Sequence, residues 1–177
     1  ADTIVFDKTG TLTKAQPTVA EVVSFNGDSG DELLKIAACL EEHFPHSMAR
    51  AVVEAAKNRG IEHSEMHSKV EYIVAHGIAS AIGDKRVVIG SAHFVFEDEK
   101  ASIPEDKKTL YEELPLEYSH LYLAIDGVLA AVICIEDPVR DEAVEVIRQL
   151  KTAGISKVVM MTGDSERTAA AIAKKVG

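Results

Sequence analysis

The chain has 177 residues, which is enough for one ordinary domain or two small ones. Its formal net charge of -10 leaves no basic excess, and this excludes general binding of nucleic acid. No apolar run approaches the roughly 20 residues needed to span a bilayer, and Cys39 and Cys134 form no C-x-x-C pair.

The first third of the chain predicts two strands and two helices. Hydrophobic periodicity places strands over residues 3–6 and 19–25, and helices over residues 32–42 and 47–59. The first strand is a short apolar run typical of a buried parallel strand, and Asp7 stands at its carboxyl end. Asp31 is the expected N-cap of the first helix, and Gly60 is a natural stop for the second.

The middle of the chain is predicted to be mainly β structure. Strands are expected over residues 70–74, 78–82, 86–89, 121–125 and 128–135. The dipeptides Gly83-Asp84 and Asp126-Gly127 are hairpin turn signals. The highly charged segment 97–117 separates these strands, and we expect a solvated loop with one short helix near residues 108–114.

The last quarter returns to an alternation of helix and strand. We predict a helix over residues 141–153, a strand over 157–161 and a helix over 165–176. A strand followed by a carboxylate-bearing loop therefore occurs twice, at Asp7 and at Thr162-Gly163-Asp164. The pattern predicts an α/β domain on a parallel sheet (residues 1–15 and 135–177), with an α+β domain on an antiparallel sheet (residues 16–134) inserted into it.

The residues at these two strand ends suit phosphoryl transfer. Open α/β sheets place their active sites at the carboxyl ends of strands, and an aspartate there can attack phosphorus to form an aspartyl phosphate. Mg²⁺ usually neutralises the transferred charge, and we expect it to bind the Asp7 carboxylate and the backbone carbonyl near Thr9. Hydroxyl and N–H groups that suit phosphate oxygens belong to Thr9, Gly10, Thr11, Thr162 and Gly163.

These motifs resemble those of a known family. The run Asp7-Lys8-Thr9-Gly10-Thr11-Leu12-Thr13 resembles the phosphorylation signature of P-type ATPases, which have a haloacid-dehalogenase-like, Rossmann-type fold. Thr162-Gly163-Asp164 is similar to their TGD motif, and Asp137-Pro138-Val139-Arg140 resembles their hinge motif. The resemblance implies that ATP phosphorylates Asp7, that Lys8, Thr9, Thr11 and the TGD residues assist, and that Asp137 and Arg140 lie at a hinge.

Thr9 bears on the class of reaction. Hydrolytic phosphatases of this fold normally carry a second aspartate two positions after the nucleophile, as general acid and base. Threonine is a poor base near neutral pH, so water should attack a phosphorylated Asp7 slowly. A long-lived acyl phosphate suits a pump, although a soluble phosphatase with a cap domain stays an alternative that a phosphatase screen with Mg²⁺ would decide.

The inserted region resembles the nucleotide-binding domain of the heavy-metal branch of these ATPases. Glu41 lies five positions before His46, as in the SEHPLA motif of that branch, but here proline precedes the histidine instead of following it. The resemblance implies that both residues contact adenine. The branch also has a G-x-G pair, and its first glycine is Ala75 here, which makes Gly77 the stronger candidate. Gly90-Ser91 resembles a further glycine-containing turn of the domain.

The resemblance implies a parent protein larger than this chain. Transmembrane helices that handle the heavy-metal ion and an actuator domain would be its partners, and the chain would lie on the cytoplasmic face of the membrane. A GDGxND segment, which supplies a second Mg²⁺ carboxylate, is expected after Gly177, so the phosphorylation domain is expected to be incomplete at its C-terminus. We therefore expect the isolated chain to be weakly active or inactive. A non-catalytic nucleotide-binding module is the remaining alternative.

Overall fold

The computed structural model describes residues 1–42, 44, 46–62, 71–73 (backbone only) and 77–177. Within these ranges the chain divides into two compact units. Unit 1 consists of Ala1–Pro17, Leu116–Ser119 and Glu136–Gly177, and unit 2 consists of Thr18–Pro115 and His120–Ile135.

Within the described ranges, strands and helices alternate most regularly in the last part of the chain. The strands are β1 (Thr3–Asp7), β2 (Thr18–Ser24), β3 (Glu71–Ile73), β4 (Gly77–Ile82), β5 (Lys85–Gly90), β6 (Ser119–Ile125), β7 (Val128–Glu136) and β8 (Lys157–Met161). The helices are α1 (Gly30–Glu41), α2 (Ser47–Asn58), α3 (Lys108–Glu112), α4 (Ala143–Thr152) and α5 (Glu166–Val176). None of the helices in the described ranges is long and apolar enough to cross a membrane.

Unit 1 is built on a parallel pair of strands. β1 and β8 pair in parallel, with Thr3 opposite Lys157 and Asp7 opposite Met161. The amphipathic helices α4 and α5 supply most of its small core, which consists of Leu12, Ala143, Ile147, Ile172 and Val176. One face of this sheet is open to solvent, since the residues Val5 and Met161 are 52% and 62% exposed.

Unit 2 is built on a six-stranded sheet with the order β2-β7-β6-β5-β4-β3. The β3–β4, β4–β5 and β5–β6 pairs are antiparallel, and the turn at Asp126-Gly127 joins β6 to β7. Helices α1 and α2 bury their apolar faces in its main core together with β4–β7, through residues that include Leu33, Leu40, Val52, Ile78, Ile89, Leu123 and Ile133. This core buries much more apolar surface than the core of unit 1.

The predicted fold class is confirmed, since a parallel α/β unit and a separate sheet of mainly antiparallel pairs are both present. The expected N-cap of α1 is wrong. Ser29 caps this helix, because its Oγ accepts from the Glu32 N–H at 3.2 Å while the Glu32 carboxylate accepts from the Ser29 N–H at 3.2 Å. This reciprocal capping box satisfies two backbone donors, whereas Asp31 lies inside the first turn and pairs with Arg59.

The charged segment 97–117 contains one more helical turn than its composition indicates. This turn, Glu105–Lys107, leads directly into α3, which lies where the short helix is expected, and a further turn at His93–Asp98 ends as the segment begins. The third predicted strand is confirmed over Glu71–Ile73, and its expected ends at residues 70 and 74 lie outside the described residues.

Candidate functional site

Asp7 ends β1 at the edge of the parallel sheet where the TGD loop begins. In the strand register Asp7 lies opposite Met161, so Thr162, Gly163 and Asp164 leave β8 at the level where the chain leaves β1. The Asp7 side chain is exposed and forms no hydrogen bond or ion pair with another described residue. Its carboxylate is therefore available to an incoming electrophile or a cation.

The chain after Asp7 turns sharply through Lys8–Leu12. Thr9 has an extended backbone (φ -77°, ψ 119°), and Gly10 has a φ of +81°, a conformation that glycine adopts without strain. The turn closes where the Thr13 N–H donates to the Lys8 carbonyl at 3.0 Å. Thr9 and Thr11 remain exposed on this turn, where their hydroxyls can reach a phosphate group.

Lys8 lies inside unit 1 and pairs with the TGD aspartate. Its side chain is only 8% exposed, and its Nζ forms a salt bridge with Oδ2 of Asp164, which is 18% exposed. The Asp164 N–H in turn donates to Thr162 Oγ1 at 3.1 Å and holds the loop in a tight turn. The structure therefore brings Lys8 and Asp164 together, while Thr162 shapes the loop and Gly163 stays exposed.

Asp137 and Arg140 hold the chain on both sides of the phosphorylation motif. The Asp137 carboxylate accepts from Thr13 Oγ1 at 2.5 Å and from the Gln16 N–H at 3.1 Å. The Arg140 guanidinium donates to the Gly10 carbonyl at 3.2 Å, and its backbone N–H donates to the Leu12 carbonyl at 2.8 Å. The predicted hinge residues therefore fix the turn that follows Asp7.

Glu41 is the last residue of α1 and is almost fully buried. Its side chain is 3% exposed, and its Oε2 has no hydrogen-bond partner among the described residues. Desolvation by burial raises the pKa of this carboxyl from 4.5 to about 7. A buried, unsatisfied carboxyl oxygen is costly, and a ligand with a hydrogen-bond donor would satisfy it.

His46 is the N-cap of α2. Its Nδ1 accepts from the N–H groups of Met48 at 3.1 Å and Ala49 at 3.2 Å. This arrangement requires an unprotonated Nδ1, so the neutral ring carries its proton on Nε2. Burial lowers the pKa of His46 and favours this neutral form. The Phe44 ring packs edge-on against the imidazole at a centroid distance of 4.6 Å.

The predicted glycines lie opposite each other in the sheet. Gly77 of β4 pairs with Gly90 of β5, and a Cβ on Gly77 would lie 2.6 Å from the Ile89 carbonyl oxygen and overlap the Phe94 ring. Packing inside unit 2 thus accounts for glycine at position 77. Ser91 Oγ accepts from the Phe94 N–H at 3.2 Å and starts a helical turn. Ala75 lies outside the described residues.

Sequence reasoning missed Ser119, which was expected to lie in the inserted domain. Its Oγ donates to Asp164 Oδ1 at 3.0 Å, the carboxylate oxygen that Lys8 leaves free. No sequence signal predicts this contact, because 45 residues separate the two side chains and Ser119 belongs to none of the motifs.

Comparisons with known proteins show which family the chain is similar to. A family model described as "Hydrolase: haloacid dehalogenase-like hydrolase" matches residues 1–177. The copper-transporting ATPase 2 of Rhizobium meliloti (strain 1021) is 36% identical over 181 residues and matches 100% of this chain. The silver exporting P-type ATPase of Salmonella typhimurium is 35% identical and matches 99% of this chain. The chain spans 21% of the length of each of these relatives.

Solved structures show the same relationship. A crystal structure of a zinc-transporting PIB-type ATPase aligns with a TM-score of 0.69 and 31% identity, over 99% of this chain and 28% of that one. The catalytic CPx-ATPase domain CopB-B aligns with a TM-score of 0.66 and 27% identity, over 99% of this chain and 57% of that one. The chain therefore belongs to the haloacid dehalogenase-like hydrolase family, and its whole length is similar to the catalytic part of heavy-metal P-type ATPases.

Proposed function

We propose that this chain is the ATP-binding and phosphorylation part of a heavy-metal cation-transporting P-type ATPase. In this proposal unit 1 is the phosphorylation domain and unit 2 is the nucleotide-binding domain. The observation that carries the proposal is Asp7 itself, an exposed carboxylate at the carboxyl end of a parallel strand, beside the TGD loop and without a partner in the part of the chain that the structure describes.

The proposed reaction is an in-line transfer to the Asp7 carboxylate. One Oδ of Asp7 forms a bond to the γ-phosphorus of ATP, and the bond from that phosphorus to the β,γ-bridging oxygen breaks. The electron pair of the broken bond leaves with ADP, and a carboxylate that attacks as its anion releases no proton. Lys8 stays paired with Asp164, so it contributes a fixed positive charge beside the site without serving as a base.

The donor set at Asp7 fits Mg²⁺. Mg²⁺ prefers oxygen ligands and binds few protein carboxylates. The free Asp7 carboxylate and the Thr9 backbone carbonyl would hold the ion, whereas Asp164 is already occupied by Lys8. When bound, Mg²⁺ neutralises charge on the transferred phosphoryl group.

For the nucleotide we propose a contact at the α1 and α2 ends of unit 2. Glu41 has an unsatisfied buried oxygen, and the exocyclic amine of adenine is a donor of the kind it lacks. His46 carries its proton on Nε2, which leaves that atom to donate to a ring nitrogen of the base. Gly77 and Gly90-Ser91 remain candidates on the neighbouring strands.

The partners of the chain follow from the same proposal. The transmembrane helices and the actuator domain of the parent pump would convert the phosphorylation of Asp7 into movement of a heavy-metal ion. The chain would then lie on the cytoplasmic face of the membrane, where ATP is available. The similar proteins include ones named as transporters or exporters of copper, silver and zinc. The described residues of this chain contain no cluster of metal ligands that would select among such ions.

Labelling of the full-length pump with radiolabelled ATP tests the proposed function. The wild-type protein should form a phosphoprotein that is stable in acid and labile to hydroxylamine, and Asp7→Asn should abolish the label. Asp2→Asn is the matched control, because Asp2 is an exposed aspartate just before the opposite end of β1. Label retained in Asp7→Asn would refute Asp7 as the nucleophile.

A further inference from the structure

The short segment Leu116–Ser119 belongs to unit 1 although both of its chain neighbours belong to unit 2. Two hydrogen bonds attach it to the region around the TGD loop. The Thr168 hydroxyl, which is buried in the first turn of α5, donates to the Tyr118 carbonyl at 3.3 Å. The Ser119 hydroxyl donates to Asp164 Oδ1 at 3.0 Å.

The second bond completes the environment of the Asp164 carboxylate. Lys8 Nζ binds Oδ2 and Ser119 Oγ binds Oδ1, so each carboxylate oxygen has a side-chain donor. A carboxylate held at both oxygens cannot rotate about its last side-chain bond without losing one of these contacts. Charge-assisted hydrogen bonds of this kind are stronger than neutral ones.

The orientation of Asp164 matters because it determines where the ammonium group of Lys8 lies. Lys8 follows Asp7 directly, and its buried ammonium group pairs with one carboxylate among the described residues, that of Asp164. Without the Ser119 bond, Asp164 could turn and the lysine would follow, because a buried ammonium group cannot remain unpaired without a large cost. A charged group accelerates a reaction most when it is held, before the reaction begins, in the position where it stabilises the transition state.

We propose that Ser119 is a positioning residue for the phosphorylation of Asp7, acting through Asp164 on Lys8. This inference rests on the proposed function. The Ser119 hydroxyl lies outside the phosphorylation, TGD and hinge motifs. In this proposal it holds the Lys8–Asp164 pair in position beside the nucleophile. The hydrogen bond from the Thr168 hydroxyl to the Tyr118 backbone carbonyl fixes the segment, and the Ser119 hydroxyl orients Asp164.

An isosteric pair of variants tests the proposal in the full-length pump. Ser119→Thr keeps a hydroxyl on Cβ, and Ser119→Val has the same shape without it. Both residues are β-branched and suit the first position of β6, so both should fold. We expect Ser119→Thr to form phosphoprotein at a rate close to that of the wild type, and Ser119→Val to form it about tenfold more slowly. The KM for ATP should be unchanged in both.

The matched control is Ser156→Ala. Ser156 belongs to unit 1 and precedes the start of β8, and among the described residues its hydroxyl bonds the Asp2 carbonyl alone. Its labelling rate should equal that of the wild type. A second measurement places Ser119→Val in an Asp164→Asn background, where it should slow the reaction no further if it acts through the carboxylate.

Equal rates for Ser119→Thr and Ser119→Val, or an undiminished effect of Ser119→Val in Asp164→Asn, would overturn the role of Ser119. Either result leaves the proposed function intact as long as Asp7→Asn abolishes the label. If the wild-type pump forms no hydroxylamine-labile phosphoprotein, the proposed function itself fails and the inference falls with it.

Discussion

At the scale of single residues, the buried carboxyl of Glu41 couples the stability of unit 2 to pH. Burial raises its pKa from 4.5 to about 7, so between these values the folded state binds more protons than the unfolded chain. Stability should therefore fall as the pH rises from about 4.5 to about 7, by up to about 3 kcal/mol. Denaturant unfolding across this pH range measures the effect.

Glu41→Gln is the control for this prediction, because it keeps the shape of the side chain and removes the titration. The variant should show a much flatter dependence on pH and should exceed the wild type in stability above pH 7. Parallel curves for the two proteins would show that Glu41 does not carry the dependence.

His46 combines two tasks that substitution can separate. Asparagine is a favourable N-cap, whereas alanine is not, so His46→Ala should lower the free energy of unfolding by about 1 kcal/mol and His46→Asn should leave it nearly unchanged. Both variants lose the Nε2 donor, and both should lose affinity for ATP in a calorimetric titration. Wild-type affinity in His46→Asn would remove the ring from the proposed nucleotide contact.

At the scale of elements, the close approach of β4 to the Phe94 ring predicts a strong effect at one glycine. Gly77→Ala would place a methyl group 2.6 Å from the Ile89 carbonyl oxygen, and we expect a loss of about 2–3 kcal/mol in the free energy of unfolding. Gly30→Ala is the matched control, because its new methyl group would make ordinary contacts at 3.7 Å in the first turn of α1. Its stability should equal or slightly exceed that of the wild type, and equal losses in both variants would contradict this reading of Gly77.

An element can be predicted from sequence when the residues that determine it lie within or next to the element itself. β8 was predicted with its observed bounds, because a run of apolar residues between Gly154 and Gly163 is decided within the segment itself. The start of α1 was misplaced because Asp31 and Ser29 are both good caps. Only the reciprocal bond from Glu32 favours the serine.

At the scale of the whole molecule, the two units should differ in stability. The core of unit 2 is large, whereas unit 1 has a small core and exposes Val5 and Met161 on its sheet. Hydrogen exchange of the 177-residue chain should therefore show greater protection for the amides of β5–β7 than for those of β1 and β8. Uniform protection across all these strands would indicate that the two units unfold together.

Sequence predicts only those residues of the candidate site that belong to recognisable motifs. Asp7 and the TGD residues follow strands that are recognisable by composition, so their meeting at one sheet edge could be expected. The partners of Asp164 could not, because Ser119 reaches it through a chain segment whose place in unit 1 depends on tertiary packing. The burial of Glu41 and the capping by His46 likewise appear only in three dimensions.

The central claim is that ATP phosphorylates Asp7, and identification of the modified residue tests it most directly. Borohydride reduces an aspartyl phosphate to homoserine, which peptide mass spectrometry can locate after the full-length pump has reacted with ATP and Mg²⁺. The account predicts homoserine at position 7, in the peptide that contains Lys8-Thr9-Gly10, and no such product without ATP. Reduction at another aspartate, or a phosphoprotein in which Asp7 remains unmodified, would contradict it.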